Sequence, residues 1–169
     1  MSLKVRRAGD SDVDPMAEVL VLSDNERRRE AGLSPTSTLA QARDVVASRM
    51  SSLGGRALVG CDGSHVMGMI MGLPARENDG EGVAFIPGLL HVCTLAVMPE
   101  SQGRRLGSRM LTVLLDGAQH AGFIHAQLWT HESNARAIAL YERLGFVRSG
   151  RTKSDDHGEL IAHWSRSLS

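Results

Sequence analysis

The chain is poor in cysteine, in aromatic residues, in net charge and in long apolar runs, and each shortage excludes something. Two cysteines, Cys61 and Cys93, occur in 169 residues, both inside apolar stretches. They offer neither a disulfide framework nor a paired metal-ligand spacing, and they read as buried thiols. Lysine plus arginine total 19, and aspartate plus glutamate total 19. A protein that coats nucleic acid carries a broad basic excess, so nucleic acid is not an expected partner. No stretch approaches the ~20 apolar residues of a membrane span. The opening MSLKVRRAGDSDVDPM lacks the apolar core of a signal peptide. No membrane partner is expected, and a reducing, cytoplasmic setting is. The seven histidines show no H-E-x-x-H or similar spacing, so no metal is implied.

What remains is an ordinary globular composition, 42% hydrophobic, in a chain long enough to bury about 70% of its unfolded surface. No repeat, low-complexity tract or linker divides it, and a single domain over residues 1–169 is expected. Residues 3–8 read as a strand, and 13–32 and 38–53 as helices. Two apolar runs, 56–61 and 65–73, flank the turn signal Asp62-Gly63-Ser64 and form a hairpin. A Gly-rich, charged loop at 74–88 leads to 89–98, apolar enough for a central strand. A helix at 106–121 ends at Gly122. Then follow a strand at 126–130, a helix at 134–144 stopped by Gly145, and closing strands at 146–150 and 159–165. The order β-α-α-β-β-β-α-β-α-β-β predicts a mixed, mostly antiparallel α/β sheet flanked by helices, neither a doubly wound nucleotide fold nor a barrel.

The stretch MPESQGRRLGSRML, residues 98–111, follows the central strand and opens a helix. Gly103 and Gly107 bracket Arg104, Arg105 and Leu106, and Arg109 comes just after. A helix start carries partial positive charge on its unpaired N–H groups, so arginines there are unfavourable unless an anion is present. Strand, glycine turn and helix start is the placement in which successive amides converge on a phosphate. Gly107 is followed by Ser108 and Arg109, which excludes a Walker P-loop, and the glycine spacing is wrong for a dinucleotide fingerprint. A turn with solvated arginines is the plainer alternative.

LAVMPESQGRRLGSRML resembles the coenzyme A signature of the GNAT superfamily of N-acetyltransferases, Q/R-x-x-G-x-G/A after a strand. Gln102 and Gly107 match its outer positions, while Arg105 stands where the pattern has glycine. A second stretch, NARAIALYERLGF at 134–146, is similar to the family's other motif, N-x-x-A-x-x-L-Y-x-x-x-G-F, at every fixed position. It holds the one tyrosine of the chain, Tyr141. Ala137, Leu140, Tyr141 and Leu144 also have the spacing of a helix core face. The two motifs cover the C-terminal half closely, and the N-terminal helices match in pattern only.

The resemblance implies acetyl-CoA as co-substrate and a primary amine as acceptor, with direct transfer in a ternary complex achieved largely by positioning. It implies a coenzyme site built from Leu95, Ala96, Val97, Gln102, Gly103, Arg104, Arg105, Leu106, Gly107, Ser108, Asn134, Ala137 and Tyr141. Main-chain N–H groups near Leu95, Ala96 and Val97 would serve the thioester oxygen where the family's strands splay apart. Tyr141 is the expected general acid for the leaving thiolate. His91, on one strand face with Cys93, Leu95 and Val97, is the first choice of general base, with Glu26, Glu30 and water as alternatives. Asn134 reads equally as a ligand contact and as part of a helix start. His131 and Glu132 read as solvent-exposed, Trp129 as core, and the charge run NERRREAGLSP at 25–35 as a solvated helix end unless it lines the acceptor groove. The acceptor is not named by any motif, and relatives are frequently dimers, which leaves a homodimer open. Two other classes stay in view: a coenzyme A-binding module without chemistry and, last, a phosphate-binding protein unrelated to coenzyme A.

Overall fold

The computed structural model describes residues 2–169. Its elements are β1 (Leu3–Arg7), α1 (Val13–Glu30), α2 (Leu39–Met50), β2 (Arg56–Asp62), β3 (His65–Arg76), β4 (Phe85–Val97), α3 (Leu106–His120), β5 (His125–His131), α4 (Ala135–Arg143), β6 (Val147–Ser154) and β7 (Leu160–Ser167). The order is the one read from the apolar spacing. The strands form one seven-stranded sheet, β1-β2-β3-β4-β5-β7-β6. The pairs β1–β2, β2–β3, β5–β7 and β6–β7 are antiparallel, and β4–β5 is parallel. The chain divides into two compact units: the chain up to Leu73 with Thr94–Leu114, and Pro74–Cys93 with Leu115–Ser169.

In the first unit, Asp12 carries the chain from β1 into α1. Its carboxylate accepts from both terminal nitrogens of Arg6, at 2.8 and 2.9 Å, and from the Gly9 amide at 2.8 Å. Helix α1 then buries Met16, Ala17 and Val19, and Arg27, Arg28 and Arg29 in its last turn oppose the negative end of the helix dipole. Thr38 caps α2 by accepting from the Gln41 amide. Gly60 and Gly68 stand opposite each other across β2 and β3, and Leu106 and Met110 of α3 pack against that pair.

In the second unit, β5 and β7 alternate between two faces, as a strand must. One face buries Ala126 and Leu128 with Ala162 and Trp164. The other carries Gln127, Trp129 and His131 beside Ile161, His163 and Ser165. Helix α4 closes on a left-handed Gly145 (φ 84°). A Cβ there would meet Arg166 at 3.6 Å, so the helix end lies over the Ala126 face, where Arg166 pairs with Ala126.

The expected loop at 74–88 is shorter than its composition suggested. β3 runs through Arg76 and β4 starts at Phe85, so only the tip is irregular. The Glu77 amide donates to the Ala84 carbonyl at 3.0 Å, and the Arg76 guanidinium lies 4.4 Å from the centre of the Phe85 ring. Glycine and charge mark the tip, and cross-strand pairing extends the strands past it.

Candidate active site

After β4 a single 3-10 turn, Pro99–Ser101, leads into the glycine–arginine stretch. The chain then enters the left-handed region twice in three residues, at Gly103 (φ 80°) and Arg105 (φ 61°). Gly103 suits this because it has no Cβ. Arg105 adopts a glycine-type conformation at the position where the coenzyme A signature has glycine, which explains the residue type that the pattern prefers. Leu106 anchors the end of the turn in the core. Backbone bonding of α3 opens with the Arg109 amide donating to the Arg105 carbonyl at 3.1 Å. The amides ahead of it, to which Gly107 and Ser108 belong, are of the class that a helix start leaves without an intrahelical acceptor. Arg105 and Arg109 are exposed, and Arg104 is half-buried. The Gln102 side-chain amide reaches back to the Val97 carbonyl, 3.5 Å away. Ala96 is buried, and Leu95 and Val97 are half-buried.

Strands β4 and β5 pair only through Leu89–His125, Leu90–Ala126 and His91–Gln127. Beyond that last rung β4 continues to Val97 and β5 to His131, and among the described residues no further rung joins them. His91, the first-choice base, is half-buried and sits on the last rung.

Tyr141 lies on α4 and is buried, with 6% of its surface exposed. Asn134 caps this helix, its Oδ1 accepting from the Ala137 amide at 3.2 Å. The end of the motif folds back on the tyrosine: the Phe146 amide donates to the Tyr141 carbonyl at 3.0 Å. The two rings meet edge to face at 5.9 Å. Burial pushes the Tyr141 phenol above its ordinary value, so it stays protonated.

The model of the acetyltransferase (GNAT) family matches residues 23–146. This chain belongs to that family. Mycothiol acetyltransferase from Streptomyces coelicolor is 36% identical to it over 78 residues, 42% of this chain and 25% of that protein. The [ribosomal protein bS18]-alanine N-acetyltransferase of Salmonella typhimurium is 46% identical over 52 residues, 31% of this chain and 35% of that protein. The matches therefore span between a quarter and about a third of these relatives' own lengths. The solved structure of yncA from Salmonella typhimurium with its cofactor acetyl-CoA superimposes with a TM-score of 0.73 at 19% identity, over 100% of this chain and 95% of that one. The family, the mixed α/β fold and acetyl-CoA as the expected co-substrate agree with these comparisons.

Several residues of this GNAT chain sit otherwise than the sequence suggested. His131 is not simply solvated: its Nε2 lies 2.8 Å from an Asp155 carboxylate oxygen and 4.0 Å from Glu159. Asp155 also accepts from the amides of His157 and Glu159, so the cluster pins the β6–β7 turn to the end of β5. Glu132 pairs with Arg148. Trp129 is half-buried rather than core, with the Lys153 ammonium 4.3 Å and the Arg151 guanidinium 5.2 Å from its ring centre. Arg151 in turn holds Asp79 through two contacts of 2.6 and 2.8 Å. Cys61 is buried, but Cys93 is half-buried. The charge run at 25–35 folds back on itself: Arg28 is buried and donates to the Ser34 carbonyl at 2.7 Å. Glu26 accepts from Arg29, and Glu30 is exposed. Burial and ion pairing across several residues are invisible to a reading of local composition.

Proposed function

We propose that this chain is a single acetyltransferase domain that moves acetyl from acetyl-CoA to a primary amine, directly and without a covalent enzyme intermediate. The observation that carries this reading is the turn between β4 and α3, whose left-handed Gly103 and Arg105 bring a run of amides and arginines to a helix start. A diphosphate suits that combination of donors and charge. Gln102, Arg104, Leu106, Gly107 and Ser108 complete the grip. Leu95, Ala96 and Val97 offer main-chain groups beyond the last β4–β5 rung to the pantetheine arm and the carbonyl oxygen. Asn134 and Ala137 belong to the coenzyme side with Tyr141.

In the reaction the amine nitrogen attacks the thioester carbonyl carbon, a C–N bond forms and the C–S bond breaks. The departing sulfur takes a proton from Tyr141. An alkylamine of pKa near 10.4 is mostly protonated at neutral pH, and His91 takes the proton it must lose. A neutral imidazole has one ring nitrogen able to accept it. Glu26, already bound to Arg29, ranks behind it with Glu30 and water. The reading includes a cytoplasmic setting and no nucleic-acid or membrane partner, and it leaves a homodimer open.

The test has two stages. Acetyl-CoA should stabilise the protein by about 2.7 kcal/mol at a hundredfold excess over its Kd, and ATP and NAD should not. Thiol release is then measured with a panel of amines. An alanine-initiated hexapeptide represents the ribosomal-alanine relative, with lysine, spermidine and an aminoglycoside beside it. No stabilisation by the coenzyme overturns the reading. Stabilisation without thiol release on any amine favours a non-catalytic coenzyme A-binding module, the second reading, to which Arg105 in the glycine position lends support.

A further inference from the structure

We propose that Gln127 is a positioning residue for His91, and that buried His163 holds Gln127 in that role. The proposal rests on the reading of His91 as the base. Four polar side chains, His91, Gln127, His163 and Ser149, run in a row across one sheet face from β4 through β5 and β7 to β6. His91 and Gln127 are rung partners, so they leave the same face of strands about 4.8 Å apart. Gln127 Oε1 lies 2.9 Å from Nε2 of His163, and Nδ1 of His163 lies 2.7 Å from the Ser149 hydroxyl.

For a neutral ring these contacts have one consistent assignment. A carboxamide oxygen only accepts, so His163 carries its proton on Nε2, and Nδ1 accepts from Ser149. His163 is 6% exposed, and Trp129 closes over it edge-on with ring centres 5.1 Å apart. Burial, together with Arg151 and Lys153, disfavours its charged form, and Asp79 opposes them. The neutral ring therefore fixes which way the Gln127 amide points. Cys93 on β4 and His125 and His131 on β5 are the other titratable groups of those two strands on the His91–Gln127 face.

Of the four only His163 is buried, and a buried polar ring is costly unless it is satisfied, as Gln127 and Ser149 satisfy both of its nitrogens. The place where this row ends gives it a use. It stops at the last β4–β5 rung. An immobilised amide there gives His91 one neighbour that cannot swing away, and so sets the direction of the imidazole along β4. Gln127 acts through His91 and not on the reacting atoms.

The test is ring-nitrogen NMR of histidine in the full chain, comparing wild type with Gln127→Ala and His163→Leu. The His91 signals should report one tautomer in wild type and averaged tautomers in both variants. Unchanged His91 signals in a folded Gln127→Ala protein overturn the proposal, even if His163→Leu fails to fold. Kinetics with the best amine of the panel separates this from the base reading. Gln127→Ala should lower kcat on the order of tenfold, part of the ~100-fold or more that a general base supplies, with KM for acetyl-CoA unchanged. In a His91→Ala background it should lower kcat no further, and additive losses overturn the coupling. A His91→Ala protein with wild-type kcat instead removes the base itself.

Discussion

Gly60 and Gly68 face each other across β2 and β3, and the space their missing side chains leave is filled from α3. A Cβ on Gly60 would lie 2.5 Å from one Leu106 methyl and 3.0 Å from Leu106 Cγ. A Cβ on Gly68 would meet the terminal methyl of Met110 at 2.7 Å, with a Leu106 methyl at 3.1 Å and the Ala96 carbonyl at 3.3 Å. These clashes differ in kind. Both side chains are fully buried, but Met110 ends in a flexible thioether that can turn aside, whereas Leu106 is branched. Gly60→Ala should therefore cost about 2 kcal/mol by overpacking, a fall of roughly 6 °C in Tm for a chain of this size. Gly68→Ala should cost less than half of that. Because Leu106 is the first residue of α3, coenzyme A affinity measured by calorimetry should also weaken in Gly60→Ala more than in Gly68→Ala.

Arg105 separates backbone conformation from charge. A left-handed non-glycine residue is strained by about 1–2 kcal/mol, and glycine loses ~0.5–1 kcal/mol more chain entropy on folding. Arg105→Gly should thus leave Tm unchanged or slightly raised, while Arg105→Val, β-branched and at positive φ, should lower it. For coenzyme A the expectation reverses. Arg105→Gly should bind more weakly at low salt, with the gap to wild type closing as salt screens the lost charge. Equal affinities at every salt concentration would take the guanidinium out of phosphate binding.

The order of the elements could be read from apolar spacing because most of the helices and strands bury a stripe of their own; β6, exposed along its whole length, does not. The stops at Gly122 and Gly145 are local in sequence and were legible for that reason, the cap at Asn134 was one of two readings, and the return of Phe146 onto Tyr141 is a finding of the structure. What was not legible depends on partners far along the chain. β3 and β4 extend into a glycine-rich, charged segment because they pair there, and Arg28 is buried because the chain folds back to Ser34. The β4–β5 ladder ends after three rungs although β4 remains mostly apolar as far as Val97. Arg105 is a partial exception: its departure from the glycine pattern marked the position, but only φ showed why glycine is preferred.

Asp12 should make part of the stability pH-dependent. The hydrogen bonds from Arg6, aided by the Gly9 amide, hold its carboxyl below the ordinary range against the opposing effect of burial. A carboxyl depressed on folding contributes stability that is present above its unfolded pKa, near 3.9, and is lost as pH falls through the folded value. Asp12→Asn should therefore be less stable than wild type by about 2 kcal/mol at pH 7, the range for a hydrogen bond to a charged group. Urea titrations repeated toward pH 2 should show that difference shrinking. A difference independent of pH would mean that Asp12 acts by shape alone.

Tyr141 is the one tyrosine of the chain, so phenolate absorbance near 295 nm reports on it and on nothing else. Burial raises its pKa, which means that the folded protein keeps the proton at pH values where the unfolded chain, with an ordinary pKa near 10, has lost it. By linkage the folded state then binds more protons than the unfolded one above about pH 10, and stability must fall as pH rises there. The phenolate band should stay absent as pH is raised past 10 and emerge only together with loss of the far-UV helix signal. Tyr141→Phe should remove this alkaline loss of stability. The same substitution should lower kcat for acetyl transfer while leaving coenzyme A affinity within a few-fold, because it removes the proton donor and keeps the ring that packs on Phe146. A phenolate titrating near pH 10 in the intact fold would show a solvated hydroxyl and undo the burial argument, and unchanged turnover in Tyr141→Phe would move the acid elsewhere.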